Sequence, residues 1–191
     1  MAWKMIVCAA VVLLLVLGVR AFQNKATTQQ PSSRFIPVPA DKAMSMYLGF
    51  RNGALTASAT GQQKSDAPHA VLMDMPVTPG TATIAAFADG TASIYISKGS
   101  GYIGGSQTYP TIREAGLRFI ATARKFQPQM QVTQQFPLPE QGEVTFYIAT
   151  DYGVYTAKAP EAELRKRSHP LTELYAAAQD VITQYRLNFK K

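Results

Sequence analysis

Cysteine is almost missing from this chain. The one thiol, Cys8, lies in an apolar run near the amino terminus, so nothing downstream can form a disulfide, ligate a metal through thiolate or attack a substrate as a thiolate. Histidine is nearly as scarce: His69 and His169 are the two, and neither belongs to a spaced ligand motif, which leaves zinc without a sequence basis. The chain is rich in hydroxyls but carries no nucleophile-elbow pattern and no Ser, His and Asp grouping. Nor is a carboxylate pair marked for acid–base work. Asp89 and Asp151 fall in turn sequences, Asp74 in a strand at an inward or edge position, and Glu161 and Glu163 in a charged connection. No cofactor and no catalytic residue is expected. Long hydrophobic runs are missing too, since none reaches the ~20 residues of a standard spanning helix.

What is present begins with 15 uncharged residues, 5–19 (MIVCAAVVLLLVLGV), held between Lys4 and Arg20. As a helix they reach ~22 Å, short of a ~30 Å hydrocarbon core and at the upper limit for the apolar part of a signal peptide. Residues 1–22 therefore fit two roles. Residues 19–21 (Val-Arg-Ala) offer a small-residue cleavage pattern, whereas snorkelling of Lys4 and Arg20, with Trp3 and Phe22 at interfacial positions, favours a retained anchor. Residues 5–7 supply neither the small residues nor the apolar lead that a lipidated Cys8 needs. A short amino-terminal tail stays inside, so the expectation is a single-pass cell-membrane protein with an exported carboxy-terminal domain; the alternative is a periplasmic or secreted protein after cleavage.

The formal charge is +7, with 19 basic and 12 acidic residues. Five basic residues and one acidic residue fall within residues 1–42, leaving 14 and 11 for the rest. Most of the excess thus belongs to the membrane-proximal arm, and the basic residues are spaced as in a solvated tether. Residues 165–167 (Arg-Lys-Arg) lack interleaved aromatics, and no nucleic-acid partner is expected. Residues 23–68, rich in Gln, Thr, Ser and Pro, read as a linker with a short helix at 43–51. Residues 69–191 suffice for a single globular domain.

That domain repeats one pattern, hairpin then helix. Residues 69–77 alternate as a strand, and residues 81–88 and 91–97 flank Asp89-Gly90, a two-residue hairpin turn that would oppose Phe87 to Ala92, Ala85 to Ile94 and Thr83 to Ile96. Residues 111–126 carry Ile112, Ala115, Gly116, Phe119, Ile120 and Ala123 at helical spacing, with Thr111 and Glu114 as a capping box. Gly116, on the buried stripe, would let this helix approach the sheet closely. Strands 143–150 and 154–159 then enclose a turn at 151–153, and a last amphipathic helix begins near Pro170. The fold class is α+β, a mainly antiparallel sheet of about five strands with two main helices in the order βββαββα, plus the single hydrophobic amino-terminal helix. The stretches FADGTASIYISKGSGYIGG (87–105) and HPLTELYAAAQDVITQYR (169–186) resemble an uncharacterised bacterial protein family, which implies no assigned activity. The element order is similar to profilin-type and roadblock-type folds by architecture alone.

One motif invites a ligand. Gly99, Gly101 and Gly104 match GxGxxG, and Lys98, Gly99, Ser100, Gly101, Tyr102, Gly104 and Gly105 join a strand to a helix. The hairpin context and the delayed helix exclude a dinucleotide site, leaving a smaller anion nest in a long connection, 98–109, as the candidate ligand-binding surface. Two methionine pairs, Met44 with Met46 and Met73 with Met75, would suit copper(I), but the second lies on the core face of a strand. The expected function is therefore binding or assembly, with a protein partner or self-association. The alternative is an exported sensor or enzyme for an unknown small ligand or anion, built on the glycine-rich connection.

Overall fold

The computed structural model describes residues 34–35, 40–57 and 64–189. The apolar segment at 5–19 and its cleavage or retention lie outside them. Among the described residues no helix is long and apolar enough to cross a membrane.

The fold is α+β. Among the described residues seven antiparallel strands form one sheet, extended at an edge by the two-residue β1 (Arg34–Phe35). The others are β2 (Ala70–Pro76), β3 (Thr81–Phe87), β4 (Ala92–Ile96), β5 (Ser100–Ile103), β6 (Gln131–Thr133), β7 (Glu143–Thr150) and β8 (Gly153–Pro160). Their spatial order is β1-β5-β4-β3-β2-β7-β8-β6, which places β2 at the centre. Among the described residues five α-helices accompany them: α1 (Ala40–Thr56), α2 (Gly105–Thr108), α3 (Pro110–Phe126), α4 (Glu161–Arg165) and α5 (Thr172–Asn188). The expected five strands and two main helices, with a short helix at 43–51, thus omit β5, β6, α2 and α4, each too short to register as periodicity.

β2 explains why there are three layers. Its residues Ala70, Val71, Leu72 and Met73 are all buried, an uninterrupted apolar run that requires cover on both faces. On one face Val71, Met73, Ile84, Ala86, Ile94, Phe146 and Ile148 pack with Ile112, Phe119, Leu174, Ala178 and Val181 of α3 and α5. On the other, Leu72, Ala85, Tyr95 and Tyr147 pack with Tyr47, Ala54 and Leu55 of α1. The helix expected at 43–51 is thus a 17-residue element docked on the sheet, and residues 40–56 are not tether. α3 and α5 run antiparallel, as the spacing of Asn188 to Thr111, Arg118 to Asp180 (2.6 Å) and Lys125 to Glu173 (2.7 Å) shows.

The β3–β4 hairpin departs from its expected register by one residue. Phe87 N–H donates to Thr91 O and Gly90 N–H to Phe87 O, so the loop is Ala88-Asp89-Gly90, with Gly90 at φ 84°. This is the three-residue loop that ends in a left-handed bulge. The pairs are Ala86 with Ala92, Ala85 with Ser93, Ile84 with Ile94 and Thr83 with Tyr95. A slip of one residue exchanges faces. Thr83, Ala85 and Phe87 therefore share the α1 side with Ser93 and Tyr95, while Ala82 and Ile84 join Ile94 and Ile96 opposite. The Asp89 carboxylate holds the loop by accepting from the Thr91 amide (2.7 Å) and hydroxyl (3.0 Å). The expected capping box at Thr111 is replaced by Pro110 in the first turn of α3, whose N-cap Tyr109 makes no side-chain bond. Gly116 behaves as expected, for a Cβ there would lie 3.2 Å from Ala92 Cβ.

A polar chain ties α1 to the sheet. Arg51 Nε donates to Asp74 Oδ2 at 2.7 Å, Thr83 Oγ1 donates to Asp74 Oδ1, and the hydroxyls of Tyr47 and Thr83 are 2.8 Å apart. Arg51 also donates to the carbonyls of Phe136 (2.9 Å) and Pro137 (3.2 Å), and its guanidinium lies 5.0 Å from the centre of the Tyr147 ring. Both ion-pair side chains are fully buried. Burial pushes the Asp74 carboxyl up from its usual range, against the pull of the Arg51 charge and the bonds from Arg51 and Thr83.

Arg51→Ala strands a buried carboxylate and should lower the unfolding free energy by about 3–5 kcal/mol in urea denaturation, whereas the double change Arg51→Met with Asp74→Leu should lose clearly less. Equal losses would show that the pair itself, and not the uncompensated charge, sets the cost. Between α3 and α5, burial acts to raise the Asp180 carboxyl, but hydrogen bonds from Arg118 and Gln184 outweigh it and hold the value below the ordinary one. A folded value below the unfolded value gives stability that is present above the unfolded pKa and is lost as pH falls through the folded one. Asp180→Asn should therefore flatten the acid limb of a stability–pH profile and leave thermal denaturation at acidic pH nearly unchanged.

Candidate functional site

The glycine-rich connection is mostly ordered structure. Lys98 and Gly99 turn the chain, with Gly99 at φ 107° and its N–H donating to Ile96 O. Ser100 to Ile103 form β5, in which Gly101 opposes Tyr95 and Tyr102 opposes Ile94. Gly101 has a steric reason to be glycine, because a Cβ would come 2.8 Å from the Ile94 carbonyl oxygen. Gly104 (φ 80°) leads into α2, and a Cβ on Gly105 would lie 2.5 Å from the Tyr185 ring. The seven expected ligand-binding residues are thus shared out between two faces of the sheet instead of converging on one nest. Gly99, Ser100 and Gly101 border a crevice beneath α1 of about 30 Å³, room for water alone. Tyr102 belongs to the opposite face.

There the sheet is incompletely covered. α5 crosses it so that one stripe (Leu174, Ala178, Val181, Tyr185) is packed in the core, while the adjacent stripe toward its carboxy-terminal end overhangs a cleft of about 610 Å³ above β2, β3, β4 and β5. Small-ligand pockets range over roughly 300–1,000 Å³. The floor is Met75, Val77, Ala82, Ile84, Ile94 and Ile96, and the roof is Gln179, Ile182, Tyr185, Arg186 and Phe189, with Tyr102 closing one side. The floor follows from sequence: these positions alternate along β2, β3 and β4 and share one face because of the β3–β4 register. The roof is a helical stripe at spacings of three and four residues, adjacent to the stripe that packs Leu174, Ala178 and Val181 in the core.

Aromatic contacts fix the Tyr102 side. Its ring lies 5.5 Å from Tyr185 and 5.3 Å from Phe189, and Phe189 is 5.3 Å from Tyr109 and 5.7 Å from Tyr185. Tyr185 donates its hydroxyl to Ala92 O at 2.7 Å, and burial pushes its pKa well above the ordinary phenol value, so it remains a neutral donor. Polar groups at the cleft are few. Gln179 reaches Met75 Sδ at 3.7 Å, and Arg186 is exposed at the rim.

The methionine pairs are not brought together. Met73 and Met75 are buried on the α3/α5 face, whereas Met44 and Met46 are exposed on α1, across the sheet. Arg165 of the basic triplet is engaged by Glu161. Sequence reasoning placed Tyr102 in a candidate ligand-binding connection but missed the cleft, because its floor and roof lie about a hundred residues apart and only the topology joins them. The Arg51 and Asp74 network was missed for another reason: a charged residue on a buried stripe looks like a break in the stripe.

Gly105→Val should displace Tyr185 and destabilise the domain by about 1–3 kcal/mol, with a lower Tm. Gly104→Ala, with nothing nearer than 3.9 Å, should be limited to the cost of its left-handed backbone. Equal effects of the two changes on Tm would show that the Tyr185 contact is not what requires Gly105.

No family model matches the chain, and no curated protein and no solved structure matches it. The cleft itself is therefore the basis for a functional reading.

Proposed function

We propose that this protein is a binding module, membrane-tethered or exported, that holds an apolar ligand in the cleft between α5 and the β2–β5 part of the sheet. The observation that carries this reading is the cleft's size together with its lining of isoleucine, valine, methionine and aromatic side chains. A preformed concavity with a few polar groups is what a small-molecule site needs. The glycine-rich connection contributes by construction: Gly101 brings β5 close to β4, Gly105 admits the Tyr185 ring, and Tyr102 forms the side wall. The role is recognition and not turnover, since the fully buried Arg51 and Asp74 are sealed from any substrate.

The membrane part of the proposal rests on residues 5–19 and their flanking charges. It places the domain outside the cell membrane on a single anchor, or free after cleavage. The amino terminus of the mature protein, read by mass spectrometry together with protease accessibility of the domain in intact cells, tests it. A domain shielded from external protease in intact cells would reject export.

For the cleft, a solvatochromic apolar dye should bind the full chain saturably, and Ile182→Trp, which fills the roof, should abolish the saturable component while leaving Tm within a few degrees. Unchanged dye binding in that variant would remove the cleft from the reading.

A further inference from the structure

The cleft is apolar along its length and charged at one point, and we infer that it takes a free alkyl carboxylate, the chain lying between α5 and the sheet and the carboxylate on Arg186. This rests on the apolar-ligand reading above and adds the chemical class. From Arg186 back to Gln179 the α5 roof runs roughly 10 Å at the helical rise, the length of a medium alkyl chain. The walls offer methyl, thioether and ring surface, and the Tyr185 hydroxyl is already committed to Ala92 O. A ligand with polar groups spaced along it would leave them unpaired there, which is costly.

Arg186 supplies the other half of the argument. It is the one charged side chain lining the cleft, and among the described residues it has no ion-pair or hydrogen-bond partner. The other α5 charges are occupied: Asp180 by Arg118 and Glu173 by Lys125. A guanidinium presents a planar fork that matches one carboxylate with two parallel hydrogen bonds, and a single arginine suits a singly charged head better than a phosphoryl group. Arg186 also sits in the last turn of α5, where a cation offsets the helix-end partial charge. A lysine would serve that purpose equally well, which separates the two roles.

The test uses the full chain and a diazirine-bearing dodecanoate as photo-crosslinking probe, with labelled peptides mapped by mass spectrometry and with dodecanoate or dodecanol as competitor. Label is expected on α5 and β4, displaced at lower concentration by dodecanoate than by dodecanol. Arg186→Gln should raise the dodecanoate concentration for half displacement by about tenfold or more, Arg186→Lys by less, and neither should alter competition by dodecanol. Equal competition by the acid and the alcohol, unaffected by Arg186→Gln, would overturn the carboxylate assignment while leaving an apolar cleft. Label confined to residues 5–19, no label on the cleft, or a cleft protected by a second copy in cross-linked dimers would overturn both readings.

Discussion

Everything on the α1 side of the sheet depends on one buried ion pair. Asp74 projects from the central strand, where the neighbouring positions on its face are Leu72 and Ala70, and an isolated carboxylate there would be untenable. Arg51 resolves this from above, and once it is in place its other donors go to the Asn52 side-chain oxygen and to the carbonyls of Phe136 and Pro137. One side chain thus fixes α1 on the sheet and also draws in the irregular segment before β7. Tyr147, whose ring lies beneath the guanidinium, donates to Pro137 O at 2.8 Å and closes the same arrangement. An apolar replacement could match the stability, but it would not specify which rotation of α1 is correct, and a polar chain from Tyr47 through Thr83 to Asp74 does.

This division of labour separates the two faces. The α1 face is locked by directional bonds and has no space beyond water. The α3/α5 face is held mainly by apolar packing, by the antiparallel helix pair and the close approach at Gly116, with the Tyr185 hydroxyl on Ala92 O as its buried directional tie to the sheet, and its packing runs out where α5 overhangs β3 and β4. A ligand site is more readily accommodated on such a face, because non-directional packing can leave a concavity without leaving polar groups unpaired. The aromatic group of Tyr102, Tyr109, Tyr185 and Phe189 stiffens the end of the cleft, so that it is largely shaped before any ligand arrives.

Much of the fold was legible in the residues. The bounds of β7 follow from the alternation of Val144, Phe146 and Ile148, the core placement of Met73 and Met75 from their strand face, and the role of Gly116 from its position on an apolar stripe. What escaped has physical causes. α1 extends beyond its expected length because Arg51 lies on the buried side, where a period search expects an apolar residue. β5 was hidden by the glycines that let it pair so closely with β4. The cleft could not be read at all, since it exists only where two distant segments fail to fill the space between them.

The Ala88-Asp89-Gly90 loop has a wider consequence than the shape of a turn. Side chains on a strand have two orientations only, so the number of residues in a hairpin loop acts as a parity setting for every position beyond it. With three residues, Ile94 and Ile96 fall on the open side and Ser93 and Tyr95 beneath α1. With two, every β4 residue would pair one position further along β3, and a serine and a tyrosine would face the cleft. The chemical character of the candidate site is in this sense encoded at a corner whose tip, Ala88 and Asp89, is exposed to solvent, in residues that do not line the cavity.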